Sequence, residues 1–230
     1  MRIAAAGAWP STIEEAVEIQ ERLRSQVDPT FHAPRPPATV AGLDVAYEAE
    51  STRLAAAVAV VDVRTAELVD HAIVTGEARF PYVPGLFAFR EIPALLEALE
   101  ALATEPEVLL CDGQGIAHPR RFGLASHLGV LTGVPSIGVA KTPFVGTVVE
   151  PPPDRGSWTP LMDGGETVGR ALRTRTGVRP VFVSIGHRVD LDLACRVVLD
   201  TAPRYRIPEP LRWADRLCRS ALRGLPTSAV

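Results

Sequence analysis

Three extended segments, Thr39 to Tyr47, Leu54 to Val63 and Glu67 to Val74, follow one another with gaps too short to hold a helix. Parallel neighbours need a crossover of about a dozen residues or more, so these strands are restricted to an antiparallel meander. The chain then changes rhythm. A proline-bounded loop, Phe80 to Gly85, leads to a helix near Phe87 to Ala103, the apolar strand Val108 to Asp112, a helix near Leu124 to Leu131 and the apolar strand Ile137 to Ala140. Strands separated by helices imply right-handed parallel crossovers. The segment Pro151 to Gly165 reads as a loop, followed by strands near Thr167 to Arg173 and Pro180 to Ser184 and by helices near Leu191 to Asp200 and Pro210 to Arg223. Ahead of the meander, Ser11 and Glu14 have capping-box spacing. Ile13, Ala16, Val17, Leu23 and Val27 supply a helical stripe over Thr12 to Val27, which the Pro29 to Pro37 stretch ends.

A meander followed by alternating helices and strands predicts an α/β fold: a mixed sheet with helices on both faces, as in ribonuclease H-like folds. No internal repeat divides the 230 residues, and 47% hydrophobic content is enough for one sizeable core, so a single domain over 1–230 is expected. The longest apolar runs, Leu54 to Val61 and Val134 to Ala140, fall far short of the roughly 20 residues of a membrane helix. No basic-apolar signal segment opens the chain. Cys111, Cys195 and Cys218 are odd in number and lack CxxC spacing, which argues against a disulfide framework or a zinc knuckle and for a reducing cytoplasm.

The formal net charge of −3 conceals a division. Residues 166–230 carry 12 arginines and six acids, whereas residues 1–165 carry 12 basic and 21 acidic residues. Arg173, Arg175, Arg179, Arg204, Arg206, Arg212, Arg216, Arg219 and Arg223 form either a polyanion footprint or a solvated helical face. Of the 24 basic residues only Lys141 is a lysine, which suggests that its position requires a compact ammonium.

Two carboxylates stand where apolar side chains are expected. Asp44 lies inside the strand Val40 to Tyr47, where burial is costly without a partner or a metal. Asp112 ends an apolar strand, where open α/β sheets place their ligand crevices. Singly, Asp44 could be a hydrogen-bonded buried acid, Asp112 half of an Asp-Gly turn, Glu91 a solvated helix residue, and Asp215 the partner of Arg212 or Arg219. Converging on one crevice, the four would bind hard divalent cations, with Mg²⁺ the expected occupant, and support phosphodiester cleavage.

Competing motifs fail on spacing. Gly113 to His118 nearly spells GxGxxG, but His118 replaces the third glycine. The segment Gly133 to Thr142 resembles a P-loop with its lysine two positions late. Neither a GxSxG elbow nor an HExxH helix occurs, and His118, His127 and His187 are too dispersed for a zinc site.

The strings Val40 to Val45, Phe80-Pro81-Tyr82-Val83-Pro84-Gly85, Phe89 to Glu91, the run DGQGIAHPRR at Asp112 to Arg121, Ile137 to Lys141, Gly186-His187 and Arg206 to Pro210 together resemble the endonuclease V family of inosine-directed repair nucleases. The resemblance implies a ribonuclease H-like fold. It also implies cleavage of DNA containing deoxyinosine at the second phosphodiester 3′ to the lesion, leaving 3′-hydroxyl and 5′-phosphate ends. It assigns Asp44, Glu91 and Asp112 to Mg²⁺, with Mn²⁺ as a substitute and Asp215 as an outer group, and places Lys141 and His118 at the reacting phosphate. Tyr82, held by Pro81 and Pro84, becomes a wedge that fills the space left by the lesion base. Gly85, Gly113, Gly115, Gly138 and Ser184 become substrate-binding positions.

The sequence departs from the family pattern at Ile185, Leu211 and Thr142-Pro143, none of them a proposed metal ligand. A monomeric, cytoplasmic enzyme with a nucleic-acid partner and no membrane partner is expected. An endoribonuclease acting on inosine in RNA stays open as an alternative, as does a catalytically silent nucleic-acid-binding module, which the retained acids disfavour.

Overall fold

The computed structural model describes residues 9–30 and 36–224. In chain order the elements are α1 (Ile13–Arg24), β1 (Thr39–Tyr47), β2 (Arg53–Asp62), β3 (Leu68–Glu77), α2 (Ala88–Glu100), β4 (Val108–Cys111), α3 (Leu124–Thr132), β5 (Ser136–Ala140), β6 (Thr147–Val148), β7 (Trp158–Asp163), β8 (Glu166–Leu172), β9 (Val181–His187), α4 (Leu191–Asp200) and α5 (Glu209–Leu222). The nine strands form one sheet in the order β3-β2-β1-β4-β5-β9-β8-β7-β6. The meander is antiparallel, β1, β4 and β5 are parallel neighbours at the centre, and β9 returns antiparallel to β5. The α/β architecture, with helices on both faces, is the expected one.

Strand alternation sorts the core into two layers. Leu43, Leu109 and Cys111 face α2 and α3 with Ile92, Leu95 and Leu128. Their neighbours Val40 and Leu110 face the other way, toward α4 and the start of α5 with Val198 and Leu211. The parallel strands are therefore buried on both sides, as their continuous apolar runs predict.

Three local expectations are corrected. The capping box of α1 is Thr12 with Glu15, one residue beyond Ser11 and Glu14; Ser11 instead donates to Glu15 Oε2. Helix α1 ends at Arg24, before Val27, while residues 31–35 of the Pro29 to Pro37 stretch lie outside the described residues. The predicted loop Pro151 to Gly165 contains β7. There Gly164 and Gly165, with φ of +59° and +84°, close a two-residue hairpin onto β8. Positive φ at both turn positions is the type I′ signature, so the Gly-Gly pair is a hairpin signal. Pro160 is tolerated because β6 pairs only with Leu161 and Met162, leaving Pro160 on an open edge.

Candidate active site

Asp44 and Asp112 owe their proximity to strand register. Leu43 lies opposite Cys111 in the β1–β4 ladder, and the Asp112 N–H donates to Leu43 O at 3.1 Å. One residue further on, the two acids stand side by side on the face that carries Val40 and Leu110, the α5 side. Gly42 sets the distance to α5: a Cβ there would lie 2.1 Å from the Pro210 carbonyl carbon, so only glycine lets the helix start rest on β1. Further along that helix Cys218 Sγ donates to Asp44 O at 3.1 Å, and the Asp215 charge reaches Asp44.

Glu91 approaches from the opposite face, in the first turn of α2. It is 3% exposed, and Tyr47 donates its hydroxyl proton to Glu91 Oε1 at 3.3 Å. Desolvation, followed by repulsion from Asp112 and Asp215, pushes the Asp44 carboxyl up to about 7. Desolvation and the Asp44 charge hold Glu91 well above the carboxylate range. Lys141, just past the end of β5, donates to Asp112 Oδ2 at 2.5 Å. Desolvation lowers the Lys141 pKa, but the bond to Asp112 and the other carboxylates outweigh it, so the ammonium is held charged.

Among the described residues, no three acidic, His or Cys side chains form a ready-made coordination shell. The carboxylates are instead coupled in pairs, with excess negative charge in a poorly solvated crevice. An all-oxygen donor set whose own repulsion raises its pKa values fits a hard divalent cation, because such an ion removes the repulsion when it binds.

Beside this rim lies a cavity of about 350 Å³ between the Tyr82 loop, the β4–α3 loop and the end of β5. Asp112 and Lys141 border one side; Tyr82, Pro84 and Gly85 border the other. The Tyr82 loop closes with Leu86 N–H donating to Val83 O at 2.9 Å, Pro84 and Gly85 (φ +82°) having the arrangement of a type II turn. Tyr82 itself is 69% exposed at the tip, its ring edge-on to Phe87 at 6.3 Å.

The other predicted site residues divide. Gly113 and His118 line the cavity, and His118 contacts Gly85 O at 3.0 Å. Burial lowers its pKa to about 4. Gly115, Gly138 and Ser184 lie behind the cavity. A Cβ on Gly115 would meet Ile185 O at 1.9 Å, one on Gly138 would meet Gly115 N at 2.5 Å, and Ser184 Oγ accepts from Gly115 N at 2.8 Å. These three contacts hold the β4–α3 loop against β5 and β9.

The arginine footprint is also reduced. Arg173 is 6% exposed, its guanidinium donating to Pro151 O, Pro152 O, Val178 O and Glu150. Arg206 donates to Lys141 O at 2.9 Å and Pro180 O at 2.8 Å, bracing the backbone at Lys141. Arg212 stacks on Tyr205 at 3.6 Å, and Arg219 pairs with Asp215. Sequence reasoning did not single out Tyr47, which bonds Glu91, or Gln20 and Phe144, which line the cavity. Of these, only Gln20 left a trace, as a polar residue on the buried face of α1.

A carboxylate inside the central strand β1, a second at the end of its parallel neighbour β4, helices on both faces and a cavity beside the acids define a ribonuclease H-like nuclease. The sequence pattern of the family described as Endonuclease V matches residues 21–216. The chain is 57% identical over 217 residues to endonuclease V of Streptomyces avermitilis, with 94% of each chain covered. A crystal structure of endonuclease V from that organism superposes with a TM-score of 0.90 at 54% identity, covering 97% of this chain and 99% of the other. Ciona intestinalis endonuclease V, solved with a 23mer DNA containing an inosine followed by a ribo-adenosine, superposes at 0.82 with 29% identity, covering 92% and 97%. The chain belongs to the endonuclease V family of metal-dependent nucleases acting on DNA.

Proposed function

We propose that this nuclease recognises deoxyinosine in DNA and hydrolyses the second phosphodiester on its 3′ side, leaving 3′-hydroxyl and 5′-phosphate ends. The observation that carries the reading is the continuity of a base-sized cavity with the Asp112–Lys141 pair, flanked by an exposed aromatic tip. A cavity of this volume lies within the size range of small-ligand sites. The likeness to a relative solved with inosine-containing DNA supports inosine as the base.

Asp44, Glu91 and Asp112 would hold Mg²⁺, or Mn²⁺ in its place, with Asp215 as an outer group; the ion supplies water activation and Lewis-acid stabilisation of the leaving oxygen. Tyr82 replaces the stacking lost when the base leaves the helix, and the Pro81 and Pro84 rings limit the backbone freedom that insertion would otherwise cost. Lys141 stays protonated and neutralises charge building on the phosphate as water adds to phosphorus and the P–O3′ bond breaks. His118 is neutral and forms the cavity wall, so its part is to position the base rather than to transfer a proton.

The test is an assay with end-labelled DNA and RNA oligonucleotides, each with and without one inosine, in Mg²⁺ or EDTA. Cleavage of inosine DNA alone, dependent on Mg²⁺, is expected. Cleavage confined to inosine RNA would transfer the reading to a ribonuclease, and cleavage indifferent to inosine would remove the specificity.

A further inference from the structure

Gln20 is the one polar residue that α1 buries completely, and its bonds do not enter the core. Its amide nitrogen donates to Gly85 O at 2.9 Å and Phe122 O at 3.1 Å, while its oxygen accepts from Arg120 Nε at 2.5 Å. Arg120 Nη2 also donates to Gly85 O, at 2.8 Å. The His118 ring reaches the same oxygen at 3.0 Å through Nε2, and its Nδ1 accepts from the Arg120 N–H at 3.2 Å. Because a backbone N–H can only donate and a carbonyl can only accept, these two contacts fix His118 as the neutral Nε2–H tautomer. Three side chains, Gln20 from α1 and His118 and Arg120 from the β4–α3 loop, thus converge on one carbonyl oxygen at the base of the Tyr82 turn.

We propose that Gln20 and Arg120, with His118, are positioning residues that clamp the Tyr82 turn through Gly85 O and so make α1 part of the lesion-recognition device. A carbonyl oxygen has two lone pairs, and most carbonyls are satisfied by one or two donors. Three donors, one of them a guanidinium, fix both the position and the plane of this peptide group. The clamp leaves no space at the turn, since a Cβ on Gly85 would lie 2.9 Å from Arg120 Nη2. Among the described residues, the ring contact of Tyr82, exposed at the tip, is the edge contact with Phe87. Force on the ring as it enters a base stack is therefore resisted at the root of the turn, where the clamp holds it, and ordering of the loop is completed before DNA binds.

This inference rests on the inosine reading above, and two measurements keep them apart. In hydrogen exchange on the free protein, Gln20→Leu should speed exchange of the amides of residues 82–86 by about 10-fold or more. Arg120→Leu, a change at a half-buried site, carries the same expectation and guards against a Gln20 variant that folds poorly. In DNA binding with Ca²⁺ in place of Mg²⁺, Gln20→Leu should reduce the preference for inosine over undamaged duplex by about 10- to 100-fold, the scale of a lost buried hydrogen bond to a charged network. Combined with Tyr82→Ala, the loss should be at least about 3-fold smaller than the product of the single losses, because both changes disable one insertion. Unchanged exchange in both variants, equal loss on both duplexes, or multiplicative losses would overturn the clamp. A wild-type protein that binds both duplexes alike would overturn the inosine reading instead, and the exchange data alone would then decide the clamp.

Discussion

The carboxylate rim and the neighbouring base cavity are built from opposite electrostatic states. At the rim, Asp44 and Glu91 are desolvated and repel one another and Asp112, so their acid forms are favoured in the metal-free protein. Around the cavity the polar groups are matched: Gly85 O has three donors, the Gly115 N–H has Ser184, and His118 has a partner on each ring nitrogen. The difference shows where each function stores its free energy. On the proposed function, catalytic competence is held as repulsion that a cation relieves, whereas recognition is held as saturated bonds that keep a shape.

The largest expected effect breaks the rim and spares the cavity. Asp112→Asn should reduce cleavage of inosine DNA by about 10²- to 10³-fold or more, the scale of losing a charge-stabilising group at a reacting centre. Inosine-DNA affinity should be retained or improved, since one charge facing phosphate is removed. Near-normal turnover in single-turnover kinetics would take Asp112 out of the metal site.

Tyr82→Ala reverses that pattern by leaving every rim acid in place. Losing a stacking ring costs roughly 1 to 3 kcal/mol, so inosine-DNA affinity should fall by about 5- to 150-fold, with a smaller loss of cleavage at saturating enzyme. Unchanged affinity with cleavage lost at saturation would mean that Tyr82 positions the phosphate.

The two regions should also respond to pH with opposite sign. On α3, one turn beyond the cavity-lining Leu124, His127 is buried among Trp9, Phe89 and Phe122, with Nδ1 lacking a partner among the described residues; desolvation drives its pKa down to about 3. The unfolded chain takes up this proton near pH 6.5 and the folded protein does not, so stability falls as pH drops below 6.5. At pH 5 the loss should be about 2 kcal/mol. Urea denaturation at pH 7, 6 and 5 should show it in the wild type and show a flatter profile in His127→Leu. Parallel profiles would mean that the buried imidazole is not the acid-sensitive group.

Much of this contrast was legible in the sequence, and the illegible part has a common cause. Asp44 and Asp112 could be picked out because a charge in an apolar strand violates the local pattern, and Tyr82 because two prolines flank it. Gln20 shows only as a polar residue on the buried face of α1 and Arg120 only as part of the DGQGIAHPRR run, since their significance lies in where Gly85 O ends up after folding. Gly115, Gly138 and Ser184 were legible as special positions but not as support, because the backbone they contact comes from distant strands. The arginine excess misled for a related reason: composition counts charges, but Arg173 and Arg206 spend theirs on carbonyls inside the fold. Helices and strands were recoverable wherever periodicity ran long enough, and β7 was lost where Pro160 and Gly164-Gly165 carried the stronger local signal.

The smallest effect is the sharpest test of stored repulsion, because it requires an inactivating change to stabilise the protein. Asp44 has a folded-state pKa raised to about 7 above an ordinary carboxylate value of 3.8. Between those values the folded protein holds a proton that the unfolded chain has released, so stability is lost as pH rises through that window. Asp44→Asn keeps the shape and removes the charge. In EDTA at pH 8 it should gain of the order of 1 kcal/mol after solvent screening, or about 2–4 °C in thermal midpoint, and the gain should vanish near pH 4. Mg²⁺ relieves the same repulsion by binding the folded state, so it should raise the wild-type midpoint more than that of the Asp44→Asn variant. A variant less stable than wild type at pH 8 in EDTA would show that Asp44 is a satisfied structural acid, and the contrast between rim and cavity would then fail at its central residue.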